Sequence, residues 1–445
     1  MCQTLFHIPA QFAGYPVFGF GLLLALWAVA SGVTLAWLAR RQGFNADTWG
    51  YVPILLLIGA VIAWLLPVIC EESPDGVPLG LPIRGYGVMM LLAVVSGTLL
   101  AAWRAKRVGL DPDLMFTLIF WMLIPGIIGA RGFHVIEYWR SEYWPRYSGP
   151  GGSLGALIGE IVNVARGGLV VYGSFFGGLL GLLLFVRKYR LPLLALGDLI
   201  APAMLLGLAI GRIGCLLNGC CFGGVCDHAW AIQFPVGSPA YFAQAQRGQM
   251  HGFDLGDSPD KPCVVLKVDP NSPAGRAGLK PGDRLTSIND RRIETTDDAH
   301  RVVLRALLDG RPLAIRAEGR PMIAVPAVAP PSRSLPVQPS QPLSTIDASL
   351  LCLLLLAYDP FRRRDGELFA MMMSIYPITR FLIEFLRSDE AAVFGRLSIG
   401  QCVSLLLLLC AAALWFYILR QPRGTAFSRR ALEKSPISQR ERGRG

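Results

Sequence analysis

The sequence predicts an all-α polytopic membrane protein of about nine transmembrane helices, interrupted once by a small α+β domain on the extracytoplasmic side. Three observations carry that expectation. First, 53% of the 445 residues are hydrophobic and only 16% are charged, with a mean hydropathy of +0.46. Soluble chains are about 25% charged. Second, the apolar residues form long unbroken runs such as GLLLALWAVASGVTLAWL. Such runs exclude both the apolar–polar alternation of an outer-membrane barrel and the polar composition of a disordered chain. Third, 42 basic against 31 acidic residues leave a net charge of +11. The basic residues gather at alternate span ends, so the charge reads as membrane topology and not as nucleic-acid binding.

A spanning helix needs about 20 mostly apolar residues. Nine stretches approach this, near 17–39, 51–70, 86–103, 114–136, 168–186, 195–217, 345–359, 367–386 and 398–419, the seventh being the shortest. Basic clusters follow every second one. They are Arg40–Arg41, then Arg104 with Lys106 and Arg107, then Arg187 with Lys188 and Arg190, then Arg362–Arg364, and finally Arg420 with Arg423. Loops between them are acidic or mixed, as at Glu71 and Glu72. The alternation places the N-terminus outside and the C-terminus inside, with a basic cytoplasmic tail over 421–445. No basic cluster precedes the first span, so it reads as a span and not as a cleaved leader. Ten cysteines are too few and too scattered for a disulfide framework, and Cys352, Cys402 and Cys410 sit in apolar runs as small hydrophobes.

The stretch between spans six and seven changes character. Over 253–330, Val264, Leu266 and Val268 alternate as a strand, Pro270–Ser272 break it, and Ala274–Ala277 make one helical turn capped by Gly278. A turn at Pro281–Asp283 leads to a strand at Leu285–Ile288. DDAHRVVLRALL follows as an amphipathic helix, and PLAIRAEGRPMIAV as a hairpin. The run Asp269–Asn289 resembles a bacterial PDZ domain. PDZ domains bind extended peptide ends at a sheet edge. No Gly-hydrophobic-Gly-Phe loop precedes the first strand, so a spacer or docking module is the competing expectation. A Pro/Ser linker, 331–344, leads back to the membrane.

Ionisable residues inside spans are costly and mark function by default. Arg131, Arg212, Arg380 and Glu384 are such residues. Arg380 and Glu384 are four apart and share a helix face. Arg212 and Asn218 flank a Gly-rich turn. Three guanidiniums at one depth suit an anionic lipid headgroup, because arginine grips phosphate with two hydrogen bonds. Tyr172 lies in GGLVVYGSFFGG, whose glycines allow helices to approach closely.

The segments DLIAPAMLLGLAIGRIGCLLNGCCFG, GGLVVYGSFFGG, GARGFHVIEY and YPITRFLIEFLR resemble those of the prolipoprotein diacylglyceryl transferases. The resemblance runs from about Gly85 to Arg420, with RGYG around Tyr86, PAYFAQAQRG from Pro239 and LSIGQ at Leu397–Gln401 as further matches. On it, residues 1–84 are two additional N-terminal helices, and 85–252 and 345–420 are the two parts of the transferase membrane core. The resemblance implies transfer of the diacylglyceryl group of phosphatidylglycerol to the lipobox cysteine of a preprolipoprotein in the bacterial cytoplasmic membrane. It implies Arg380 and Tyr172 as catalytic residues, and Arg212, Arg131, Tyr86, Asn218, Gly223 and Glu384 as residues that bind the lipid. No cofactor is expected. Nor is a metal, since Cys220, Cys221 and Cys226 lack the spacing of a zinc site. The family's His-Pro-Ser/Thr-Gln-Leu-Tyr motif stands here as Gln338–Leu343, without its His and Tyr, so access of the lipoprotein peptide is expected to differ.

Two other classes compete. An intramembrane zinc protease needs His-Glu-x-x-His, which none of the five histidines supplies. An anion transporter would bind its cargo at broken helices, and an inverted repeat would favour it; the halves show no self-similarity.

Overall fold

The computed structural model describes residues 3–43, 52–72, 78–139, 143–148, 153–162, 168, 170–255, 262–387, 392–394 and 397–427. The side chains of 42, 72, 145–146, 156, 171–172 and 392–394 lie outside that description. The chain divides into two compact units, one of residues 2–88 and 143–168, the other of 89–142 and 169–445.

In the first unit, helix α1 (Leu22–Gln42) packs on α2 (Val52–Ala60, continued to Ile69), and the Trp27 indole donates to the Leu55 carbonyl at 3.1 Å. The unit also holds an antiparallel sheet of Thr4–Pro9, Pro78–Arg84 and Glu71–Glu72. Glu71 ties it together by accepting from Arg84 at 3.0 Å and from His7 at 3.2 Å.

Helix α3 (Gly85–Arg107) starts in that unit and runs through the second. Next come α4 (Asp113–Glu137), α5 (Val171–Tyr189) and α6 (Leu193–Asn218). The short α7 (Pro239–Gln246) leads to the inserted domain with its helix α8 (Thr296–Leu308). The chain closes with α9 (Ser340–Tyr358), α10 (Glu367–Glu384) and α11 (Ile399–Arg420). Seven helices among the described residues are long and apolar enough to cross a membrane: α1, α2, α3, α4, α6, α9 and α11. The chain is a multi-pass membrane protein. Helices α5 and α10 occupy the fifth and eighth expected stretches, and α10 carries three charges, Glu367, Arg380 and Glu384. The seventh stretch starts earlier than its apolar run, because Ser340 and Gln341 are buried and join the helix.

Two devices set the helices of this unit. Glycines spaced by four on α5 meet glycines of α4. A Cβ at Gly173 would sit 2.2 Å from the Gly129 carbonyl oxygen, and one at Gly177 would sit 2.1 Å from that of Pro125. Backbones this close exclude any side chain and give the two helices a tight seam. At the other end of the unit, Asp198 is fully buried on α6. It accepts from the backbone N–H of Gly366 (2.7 Å) and Phe369 (2.9 Å) and from Arg362 (3.0 Å), and so caps the start of α10. Arg104 of α3 donates to the Asp198 carbonyl and to Asp359, which ties α3 into the same cluster.

The insert has a four-stranded antiparallel sheet, with Leu285–Ile288 between Leu313–Ala317 and Arg291–Arg292, and Ile323–Val325 on the outer edge of Leu313–Ala317. Helix α8 starts with a capping box from Thr295 and Asp298. The expected turn of helix, strand and hairpin all form. One detail differs. The expected first strand shrinks to an isolated bridge between Val264 and Arg284 and a two-residue strand, Lys267–Val268, paired with Phe253–Asp254. Beside the bridge Cys263 and Val265 are buried and Leu266 is exposed, the opposite parity to the alternation of Val264, Leu266 and Val268. Val265 exchanges backbone hydrogen bonds with Asp283 and Gly282, and that pairing turns the odd residues inward. The segment expected as a linker is paired chain. Val337 bonds to Ile232, Ser334 to Phe234, and Gln338 to Gly223 and Gly224.

Candidate active site

Helices α3, α4 and α6 wall a cavity of about 400 Å³. Gly97 and Gly207 bring α3 and α6 together, since a Cβ at either would lie 3.1 and 3.3 Å from the Ala203 and Ala93 carbonyl oxygens. The lining on α6 runs from Ile200 to Cys215, about 22 Å of helix at 1.5 Å per residue. Met90, Val94, Leu118, Ile119, Met122 and Met204 make the wall almost wholly apolar, and among the described residues Arg212 supplies its one charge. A long apolar slot with a guanidinium at one end matches an acyl lipid with a phosphate head.

Arg212 faces the Tyr376 phenol of α10, with the Cys215 and Cys221 sulfurs close by. One turn further along α10, Arg380 forms an ion pair with Glu384. Glu384 is buried; its other carboxylate oxygen accepts from the Ser398 hydroxyl at 2.9 Å, and Arg387 lies 3.6 Å away. Ser398 is also the N-cap of α11, in a capping box with Gln401, so the helix start and the ion pair are fixed together. Gly400 leaves room for both. A Cβ there would meet the Glu384 carboxylate at 2.9 Å and the Arg380 guanidinium at 3.2 Å.

Beyond Asn218, helix α6 ends on Gly219 in the left-handed region (φ 79°), and the Gly219 and Cys220 N–H groups both return to the Cys215 carbonyl. The loop that follows is held from two sides. Gly223 and Gly224 bond to the Gln338 and Leu386 carbonyls, and a Cβ at Gly223 would lie 2.6–2.8 Å from that chain. Gln341 donates to the Cys220 carbonyl (2.8 Å) and Ser340 to that of Cys221 (2.6 Å). Cys221 has φ +57°, and the sulfurs of Cys215, Cys220 and Cys221 all lie within 4.8 Å of one another. Hydrogen bonds from the Cys215 and Cys220 thiols, and then the charges of Arg212 and Arg387, pull the Cys221 thiol well below the usual cysteine range.

The structure therefore brings together Arg212, Asn218, Gly223, Arg380 and Glu384. Arg131 is half-buried on α4, whose main partner is α5, and it is outside the cavity lining. Tyr86 is 39% exposed and belongs to the first unit. Tyr172 is the second residue of α5, and its side chain lies outside the described residues. The sequence reading missed Tyr376, Arg387 and Asp347. Asp347 is a carboxylate within α9 that accepts from Thr379 at 2.9 Å, next in sequence to Arg380. Its signal was visible as a lone acid in STIDASLLCLLLL.

Residues 74–417 match the sequence profile of the prolipoprotein diacylglyceryl transferase family. A Rhodopirellula baltica protein named phosphatidylglycerol–prolipoprotein diacylglyceryl transferase is 33% identical over 448 aligned residues, covering 92% of this chain and 87% of its own length. One from Trichormus variabilis with the same name is 34% identical over 170 residues, 38% of this chain and 54% of its own. Clostridium perfringens has a protein of that name, numbered 2, that is 26% identical over 330 residues, 74% of this chain and 89% of its own. With the profile covering most of its length, the chain belongs to the prolipoprotein diacylglyceryl transferase family.

Proposed function

We propose that this protein transfers the diacylglyceryl group of phosphatidylglycerol to the lipobox cysteine of preprolipoproteins. The observation that carries the reading is the apolar slot ending at Arg212, beside the Tyr376 phenol and the Arg380–Glu384 pair. The lipobox sulfur attacks the glyceryl carbon that bears the phosphate. A C–S bond forms, the C–O bond breaks, and glycerol phosphate leaves while a base takes the thiol proton. Negative charge develops on the departing oxygen, and preorganised cations there lower the barrier. Arg212 holds the phosphate with the acyl chains in the slot. Arg380, aimed by Glu384 and Ser398, neutralises the leaving group. Asn218 and Gly223 shape the loop around the headgroup. Arg131, Tyr86 and Tyr172 are assigned to the site on the resemblance alone. Tyr172 is placed among the catalytic residues without an assigned role, because an ordinary phenol, with a pKa of about 10, is a poor general base.

We also infer nine spans, with α5 and α10 completing the basic alternation, the N-terminus and insert outside, and the C-terminus inside. The insert is PDZ-like, supported by its order of strand, helical turn, strand, helix and hairpin. The anion-transporter reading has no comparable support. The direct test is purified protein with phosphatidylglycerol and a lipobox peptide. The peptide mass rises by one diacylglyceryl group and glycerol phosphate appears in equal amount. No mass shift with folded protein overturns the reading.

A further inference from the structure

No step of the proposed transfer uses the thiols of Cys215, Cys220 and Cys221. Yet the fold converges them from a helix end and the loop beyond it, with all three sulfurs within 4.8 Å of one another. Zn–S bonds of 2.3 Å place three thiolates on one ion about 3.8–4.0 Å apart, so only small side-chain movements separate the cluster from a ligand set. Their frame is held before any ion arrives. The Cys220 N–H is anchored on the Cys215 carbonyl at 3.2 Å, and Gln341 and Ser340 pin the Cys220 and Cys221 carbonyls from across the loop. The left-handed backbone of Cys221, costly for a non-glycine residue, is the conformation in which this frame is set. The cysteines are half-buried, so the cluster is sheltered but reachable.

We propose that Cys215, Cys220 and Cys221 bind one thiophilic divalent d10 cation of the Zn2+ class. Each thiol gives its proton to water on ligation, so three thiolates and one M2+ form a unit of net charge −1, with a fourth position open to water. Arg212 and Arg387 are the cations beside Cys221, and they balance that charge.

The test uses the full chain, purified in detergent with a phosphine reductant, stripped of metal and titrated with Cd2+. We expect one Cd2+ per chain, an ultraviolet thiolate-to-cadmium band of three-ligand intensity, and at least a ten-fold loss of affinity in both Cys215→Ser and Cys221→Ser. Cys410→Ser, at an exposed position on α11, keeps the parent affinity. A missing thiolate band, or parent affinity in Cys221→Ser, overturns the proposal. Maleimide labelling of the unmutated protein guards against variants that fail to fold. Zn2+ is expected to protect Cys220 and Cys221, and labelling that ignores Zn2+ also overturns the site.

Discussion

At the scale of single residues, Arg212 and His251 make opposite uses of burial. Arg212 closes an apolar slot and is expected to grip phosphate through two parallel N–H bonds. Arg212→Lys keeps the charge and loses the fork. The expected loss of about 1.5–3 kcal/mol lowers the initial rate roughly ten- to hundred-fold across phosphatidylglycerol concentrations. A rate within about two-fold of the parent would make Arg212 a structural residue. His251 is fully buried beside Phe253, with no hydrogen-bond partner for either ring nitrogen among the described residues. Burial pushes its pKa down to about 4. The unfolded chain, with an ordinary histidine near 6.5, therefore binds more protons between those values. Stability is complete above pH 6.5 and is lost as pH falls toward 4, on the order of 2 kcal/mol by pH 5. The thermal midpoint of the folded protein should drop between pH 7 and pH 5. His251→Leu should lose much of that dependence without a penalty at pH 7, since it abandons no hydrogen bond. An unchanged pH profile in His251→Leu would place the sensitivity elsewhere.

At the scale of elements, the α4–α5 seam gives a signed contrast. Alanine is the better helix former by about 1 kcal/mol, so a glycine-to-alanine change stabilises wherever space allows. Gly178→Ala meets only the Met122 carbonyl oxygen at 3.7 Å and is expected to raise the unfolding temperature slightly. Gly177→Ala would drive a Cβ to 2.1 Å from the Pro125 oxygen and is expected to cost about 1–3 kcal/mol as the helices part. Equal midpoints for the two variants in detergent would show that the seam is loose. The seam was legible because its glycines recur every four residues, and the start of α11 was legible from its apolar run, with Ser398 and Gln401 read only as part of LSIGQ. Those signals are local. The site is not, because its clamps join residues far apart in sequence. Gln341 and Cys220 are 121 positions apart and Ser334 and Phe234 are 100 apart, and no spacing rule links them. The three cysteines show the same limit. Their sequence spacing fits no metal pattern, and only the left-handed turn at Gly219 and Cys221 folds them onto one point. The parity of Cys263 and Val265 was likewise decided by partners, Gly282 and Asp283, that periodicity does not see.

At the scale of the second unit, the structure sorts its loops to two ends of α6. Arg104, Arg362 and Asp359 gather at the Asp198 end, where Arg364 donates to the Gln421 carbonyl and Gly424 to that of Arg363. The basic clusters after the third, seventh and ninth stretches therefore share one end. The Cys220–Gly224 loop, Leu386, Ser398 and the start of α9 belong to the Asn218 end. The insert joins that end too. Ala240 of α7 bonds to the Gly219 carbonyl, and Leu307 of α8 is buried with Tyr241 and Ala245 of α7. On the orientation proposed above, the arginine-rich end is the cytoplasmic one. A reporter fused at Gly310, in the insert, is expected to be active only outside the membrane, and one at Arg363 only inside. Gly310 suits the fusion because its φ of +62° marks a turn with nothing within 4 Å of a would-be Cβ. Reporters on the same side would contradict the sorting of the loops. Reporters on opposite sides but reversed would keep the sorting and overturn the reading of the basic clusters, and the phosphate-binding end would then open to the cytoplasm.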